Sequence, residues 1–263
     1  MRARRITAIL AATLASGSFL LATSFGAPTP ANAIIGGTAA DPGEFPFMAA
    51  LDDGGFVFCG GSVIASQWVL TAAHCAKDTN LKNFYVITGR NELNATNGQR
   101  IKVSQKFIHP NYDENALTHD AALLRLQTAT SSPAITLATA ANDNLEAAGT
   151  PVTVTGWGDM LPTLGLFATN ELREVDLKVV SDQRCGQTNF GFDGPTGVCA
   201  EELAKDSCNG DSGGPLFWRS GTTRIQIGIV SYGTSCALPR FPGVYGEVNN
   251  ASIRSWIQAT SGV

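Results

Sequence analysis

The run Gly210-Asp211-Ser212-Gly213-Gly214-Pro215 sets one serine among three glycines. The hydroxyl there is unobstructed, and glycines let the chain turn so that neighbouring backbone N–H groups converge on one point. Two converging N–H groups would stabilise a tetrahedral oxyanion. At average usage, six fixed residues recur by chance on the order of once in ten million positions, so a plain glycine turn does not explain the run. A serine hydroxyl is a poor nucleophile until a base takes its proton. The chain offers three histidines. His74, in Thr71-Ala72-Ala73-His74-Cys75, ends an apolar strand beside a cysteine that could pin it. His109 precedes Pro110, and His119 precedes Asp120; both read as surface or turn residues. The base in turn needs a carboxylate to hold its tautomer. Asp120 heads the apolar run Ala121-Ala122-Leu123-Leu124, where an unpaired acid would be costly to bury.

Around these residues the chain is 263 residues long, 44% hydrophobic and 15% charged, a globular composition without the charge excess of disorder. Short β-rich runs recur at Phe56–Phe58, Ser62–Ile64, Trp68–Thr71, Phe84–Thr88, Ile101–Ile108 and Ala121–Leu126. They resume after a Ser/Ala/Asn-rich seam at 128–148, with Val152–Thr155, Glu174–Val180, Leu216–Trp218, Arg224–Ser231 and Gly243–Val248. Strands at this density, with turns and no helices between them, predict an all-β sandwich or barrel in two units, about 34–130 and 149–248. A terminal helix is expected at about 250–260, capped by Asn249 or Asn250, with Ile253, Trp256 and Ile257 on one stripe.

The N-terminus reads as a secretory leader. Arg2, Arg4 and Arg5 precede the apolar run Ile6–Phe25, and Ala31-Asn32-Ala33 offers small residues to a signal peptidase. The competing reading, a membrane anchor, is interrupted by Ser16, Gly17, Ser18, Thr23 and Ser24. Residues 1–33 carry three arginines and no acid, so without them the formal charge moves from −4 to −7. That acidic balance lacks the basic stripes that nucleic acid selects. Six cysteines, Cys59, Cys75, Cys185, Cys199, Cys208 and Cys236, follow the leader. An even count in a secreted chain predicts three disulfides among fifteen connectivities. No C-x-x-C spacing supports zinc, and no metal site is expected.

Taken with Ile34-Ile35-Gly36-Gly37, Gly156-Trp157-Gly158, Ser231-Tyr232-Gly233 and Pro242-Gly243-Val244-Tyr245, these motifs resemble the trypsin-like branch of the chymotrypsin-fold proteases, over essentially all of 34–263. The alanine-rich leader and the three-disulfide economy resemble secreted actinobacterial trypsins in particular. The resemblance implies two packed six-stranded antiparallel β-barrels with a C-terminal α-helix and the site in the cleft between them. It implies His74 as base, Asp120 as its partner, Ser212 as nucleophile, and an oxyanion hole from the N–H groups of Gly210 and Ser212. The implied disulfides are Cys59–Cys75, Cys185–Cys199 and Cys208–Cys236.

By the same resemblance, Asp206 floors the pocket for the side chain preceding the cut bond and selects Arg or Lys. Ser207 adds a hydroxyl at that floor, Ser231, Gly233 and Gly243 line the walls, and Tyr232 stands where trypsins commonly carry Trp. In this family a new N-terminal Ile pairs its ammonium with the Asp beside the nucleophile, here Ile34 with Asp211. Signal peptidase cutting after Ala33 would free Ile34 directly; a cut near Gly26-Ala27 would leave residues 27–33 as a short propeptide. No cofactor is required. The loop Gly89–Arg100 aligns with the calcium loop of animal trypsins, but Arg90, Asn97 and Arg100 stand where acids are wanted, so calcium there is not expected. A stabilising calcium elsewhere, involving Glu247, stays open. The expected partners are protein or peptide substrates and protein protease inhibitors, with no nucleic acid, no membrane, and a monomeric, extracellular enzyme.

Overall fold

A computed structural model describes residues 34–158, 169–189, 191–234, 236 and 240–263; the expected leader, residues 1–33, lies outside them. The first half begins with the short strand β1 (Thr38–Ala39), then β2 (Met48–Asp53), β3 (Phe56–Ala65) and β4 (Trp68–Thr71). A single helical turn, α1 (Ala73–Ala76), leads to β5 (Phe84–Thr88), β6 (Gln99–Ile108) and β7 (Ala122–Leu126). Strands β2-β3-β4-β7-β6-β5 close into an antiparallel barrel.

The second half contains β8 (Thr136–Leu137), β9 (Pro151–Gly156), β10 (Arg173–Val180), a short helix α2 (Asp182–Gly186) and β11 (Gly197–Glu201). It ends with β12 (Pro215–Ser220), β13 (Thr223–Tyr232), β14 (Gly243–Glu247) and the helix α3 (Ala251–Ser261). Here β10-β11-β14-β13-β12-β9 run side by side, and β9 pairs back onto β10 to close a second six-stranded antiparallel barrel. The pleat shows why β10 forms: Val175, Leu177 and Val179 face the core while Asp176 and Lys178 face water.

Aromatic packing joins the barrels. Phe217 of β12 sits 5.5 Å from the ring of Phe45 and 5.4 Å from that of Phe47. A buried polar bond crosses the same seam, Ser62 Oγ donating to Gln226 Oε1 at 2.7 Å. Asn250 caps α3, its side-chain oxygen accepting from the N–H groups of Ser252 and Ile253 at 2.9 and 3.1 Å. Ile253 and Ile257 are buried beneath it. Among the described residues no helix is long and apolar enough to cross a membrane.

Three expectations need correcting. His74 does not end a strand; it lies within α1, the turn after β4. His109, read as a surface or turn residue, does open a turn, its carbonyl accepting the Tyr112 N–H at 3.0 Å, but it is buried, stacked on His119 at 4.9 Å and packed edge-on to Trp256 at 5.0 Å. Short helical turns do interrupt the strands, at α1, at α2 and at the 3-10 segment Ala140–Glu146 inside the seam. Four to seven residues are too few to display a 3.6-residue period.

Candidate active site

α1 is too short to stand on its own hydrogen bonds, and no side chain caps its N-terminus. Asp120, fully buried just ahead of β7, supplies what is missing. Its Oδ1 accepts the His74 backbone N–H at 2.9 Å, and its Oδ2 accepts the ring Nδ1–H at 2.7 Å. Ser231 Oγ of β13 donates to the same Oδ2 at 2.5 Å. One carboxylate therefore orients the imidazole and links the first barrel to the second. The other ring nitrogen, Nε2, lies 3.5 Å from Cys75 Sγ. Among the described residues, no hydrogen bond joins Ser212 Oγ to the His74 imidazole.

The loop bearing Ser212 docks on the first barrel. Gly60 N–H of β3 donates to Ser212 O at 2.7 Å. Gly213, at φ +80°, abuts the approach to His74: a Cβ there would fall 2.2 Å from Thr71 Oγ1. Along the loop the N–H groups of Asp211, Gly213 and Gly214 all donate to backbone carbonyls. Among the described residues those of Gly210 and Ser212 do not, which leaves two donors of one loop available to an acceptor.

Beside Ser212 opens a cavity of about 330 Å³ that Asp206, Ser207, Ser231, Tyr232, Gly233 and Gly243 also line. Asp206 and Ser207 are buried. Gly243 lies close against this wall: a Cβ there would sit 3.1 Å from Asp206 Oδ1 and 3.0 Å from Tyr245 Oη, so both would have to give by a few tenths of an ångström. Tyr245 is fully buried with its hydroxyl 3.3 Å from Ser207 Oγ. Burial, and then the Asp206 charge, push its phenol well above the usual range.

Ile34 is fully buried in the core of the second barrel. The next residue bridges to the pocket floor, Asp206 N–H donating to Ile35 O at 3.2 Å. Asp211 is buried as well, its Oδ1 accepting from Gly158 N–H and its Oδ2 from Cys208 N–H, both at 2.9 Å.

The cysteines pair as Cys59–Cys75, Cys185–Cys199 and Cys208–Cys236. The first fastens β3 to α1; the last fastens the Ser212 loop to the segment after Gly233. His74 lies close to both sulfurs of the first bridge, but disulfide sulfurs are not thiolate ligands for a metal. In the Gly89–Arg100 loop, the Arg90 guanidinium donates to Leu93 O at 2.8 Å and Asn97 O at 2.7 Å. Arg100 turns away to pair with Asp52 at 2.8 Å.

Some titratable residues escaped the sequence reading. Glu146 is one: burial and the neighbouring Glu247, Asp143 and Asp182 push it up to about 8, and Glu247 itself is pushed up to about 7. Glu146 and Glu247 are 101 positions apart in a sequence that gives no hint of their meeting. Lys106 is another, an unremarked cation in a β-run.

Two closed six-stranded barrels, with a buried Asp120 carboxylate bonded to the His74 imidazole and a glycine-flanked serine on a loop docked against the first barrel, are the build of the chymotrypsin-fold serine proteases. The family model described as Trypsin matches residues 34–257. Among curated relatives, Hypodermin-B of Hypoderma lineatum is 37% identical over 231 residues, covering 85% of this chain and 86% of its own length. Trypsin alpha-4 of Lucilia cuprina is 36% identical with the same coverage. Trypsin 5G1 of Aedes aegypti is 38% identical over 238 residues, covering 88% of this chain and 85% of its own. The chain belongs to the trypsin family and is a trypsin-like serine endopeptidase.

Proposed function

We propose that the protein is a secreted endopeptidase that hydrolyses peptide bonds after Arg or Lys through a His74–Asp120–Ser212 triad. The observation that carries this reading is that one cavity is lined by both Ser212 and the buried Asp206. A long cationic side chain entering it would meet the carboxylate at its floor, and its own carbonyl carbon would be left at the serine. A cationic side chain matches the charge of that carboxylate, which an uncharged side chain does not.

In the chemical step His74 Nε2 takes the proton from Ser212 Oγ as the oxygen attacks the carbonyl carbon. The Asp120 carboxylate stabilises the imidazolium that forms. The N–H groups of Gly210 and Ser212 receive the oxyanion. Collapse expels the amine, protonated by the imidazolium, and leaves an ester on Ser212; water repeats the sequence in reverse. These roles are those of the triad template for this protein family.

Asp211 has a structural role in this reading, pairing with the ammonium of a freed Ile34. No cofactor enters the reaction, and the Arg90 guanidinium stands in the Gly89–Arg100 loop where a calcium ion would need the carbonyls. Secretion rests on the leader of residues 1–33, and the acidic balance and absence of a later apolar span fit a monomer acting on proteins outside the cell. Assay of the secreted protein on paired chromogenic peptides ending in Arg and in Phe tests the reading. Strong preference for Arg supports it; equal rates or preference for Phe defeats it.

A further inference from the structure

We propose that Lys106 is a positioning residue for His74, an internal cation that holds the C-terminal end of the turn carrying the base. Lys106 stands on β6, opposite Leu124 of β7, and β7 follows directly on Asp120. Its half-buried ammonium donates to three backbone carbonyls of the segment that follows His74: Ala76 O at 2.9 Å, Lys77 O at 2.6 Å and Thr79 O at 2.7 Å. An ammonium has three N–H donors and no acceptor, so the cage takes all of them.

The cage matters because of what α1 lacks. It is four residues long, with one i to i+4 bond at its end, Lys77 N–H to Ala73 O at 2.9 Å, and Thr79 donating to Ala76 O from its N–H at 3.3 Å and its hydroxyl at 2.7 Å. A turn this short leaves most of its terminal carbonyls to partners outside the helix. They form the negative pole of the turn, where a cation is favourable. At the opposite pole the His74 N–H donates to the Asp120 carboxylate. The turn is thus held by an anion at its start and a cation at its end, on neighbouring strands, with the Cys59–Cys75 bridge as a third tie. Lys77 does not compete for the cage, since its own ammonium pairs with Glu114 and Asp78. Burial lowers the Lys106 pKa, and the nearby Asp78 opposes that shift.

This inference rests on His74 being the base. Replacing Lys106 by Met keeps the stem and removes the donors. We expect kcat on an Arg peptide substrate to fall roughly 10- to 100-fold, the scale of a displaced catalytic group, with KM within about twofold, because the pocket is untouched. Lys106→Arg, which keeps a charged donor, should restore kcat to within a few-fold. Should the Met variant fail to fold by near-UV circular dichroism, Lys106→Gln, with a similar stem and one amide donor, carries the same readings. Unchanged kcat in a folded variant, or an equal loss in the Lys106→Arg variant, overturns the proposal. So does failure of both variants to fold, which would make Lys106 a stability residue. A His74→Ala protein is assayed alongside: if it keeps its turnover the base assignment fails, whereas if it loses turnover and Lys106→Met does not, only the role of Lys106 fails.

Discussion

A single carboxylate, that of Asp120, grips His74 twice, accepting its ring Nδ1–H at 2.7 Å and its backbone N–H at 2.9 Å. The double grip fixes ring orientation and main-chain position together, and leaves Nε2 as the ring nitrogen that the carboxylate does not hold. In the triad proposed above, that nitrogen serves Ser212 alone, so base and nucleophile act as one unit. We therefore expect Ser212→Ala and His74→Ala each to lower kcat by roughly 10⁶-fold, and the double variant to be scarcely worse. Steady-state rates on an Arg peptide, with enzyme concentration set by absorbance, check this; losses that multiply in the double variant would show two independent devices.

Specificity should rest on Asp206. The carboxylate is buried at the cavity floor, and Gly243 leaves no side chain to shield it. Truncating one member of a buried charged pair costs roughly 2–5 kcal/mol, about 30- to 4000-fold. Asp206→Ser should therefore lose at least that much kcat/KM on Arg and Lys peptides, while a reagent that acylates Ser212 still titrates the site. Survival of Arg cleavage within a few-fold would refute the pocket assignment.

How far the sequence foretold these features depends on their length scale. The Ser212 loop was legible because three glycines flank the serine within a few residues; the role of Asp206 came from the family resemblance rather than from any local pattern. The barrels were legible from β-branched runs, yet β2 and β11 were missed, since Met48–Asp53 and Gly197–Glu201 each hold alanine or glycine amid few β-branched residues. Their strand state comes from pairing on both sides, which is tertiary. His109 looked like a turn residue beside Pro110, and only the return of α3, with Trp256, buries it. Lys106 and Glu146 owe their surroundings to residues far along the chain, and no local pattern marks them.

The acidic group around Glu146 gives a pH dependence whose sign can be worked out. Glu146 is raised from an ordinary 4.5 to about 8 by burial and then by its carboxylate neighbours, and one of its oxygens is buried without a partner. Glu247 is raised to about 7. Below about pH 4.5 both carboxyls are protonated folded or unfolded, and they contribute nothing. Between about 4.5 and 8 the unfolded chain has released protons that the native state still holds, so stability falls as pH rises. The Glu146→Gln variant, in a Ser212→Ala background to prevent autolysis, should match its parent in thermal midpoint at pH 4. At pH 8.5 it should melt a few degrees higher. A cation binding these carboxylates would offset the penalty, so added calcium should raise the parent's midpoint at pH 8.5 more than the variant's. A difference between variant and parent that is the same at both pH values would contradict the assignment.

The start of the mature chain decides when the enzyme becomes active. Ile34 is β-branched and fully buried, yet sits at φ +46°. A branched residue in the left-handed region is a true outlier, costing on the order of 1–3 kcal/mol. That angle is defined only while the peptide bond to Ala33 exists, so cutting there removes the constraint and creates an ammonium at the same stroke. Ile35 is already bridged to Asp206, and Asp211 is already buried beside the pocket strand. In the proposed activation, the new Ile34 ammonium pairs with the Asp211 carboxylate. The residue before the cut is Ala33, and the nearest upstream basic residue is Arg5. A protease that cuts after Arg or Lys cannot make this cut, which excludes self-activation. Ala31-Asn32-Ala33 suits signal peptidase, and we expect export itself to liberate Ile34, leaving no zymogen stage. Edman sequencing of freshly secreted Ser212→Ala protein, which cannot process itself, should begin Ile-Ile-Gly-Gly. A start at Ala27 or Pro28 would instead demand a second protease with a preference for small residues, and direct activation would fall.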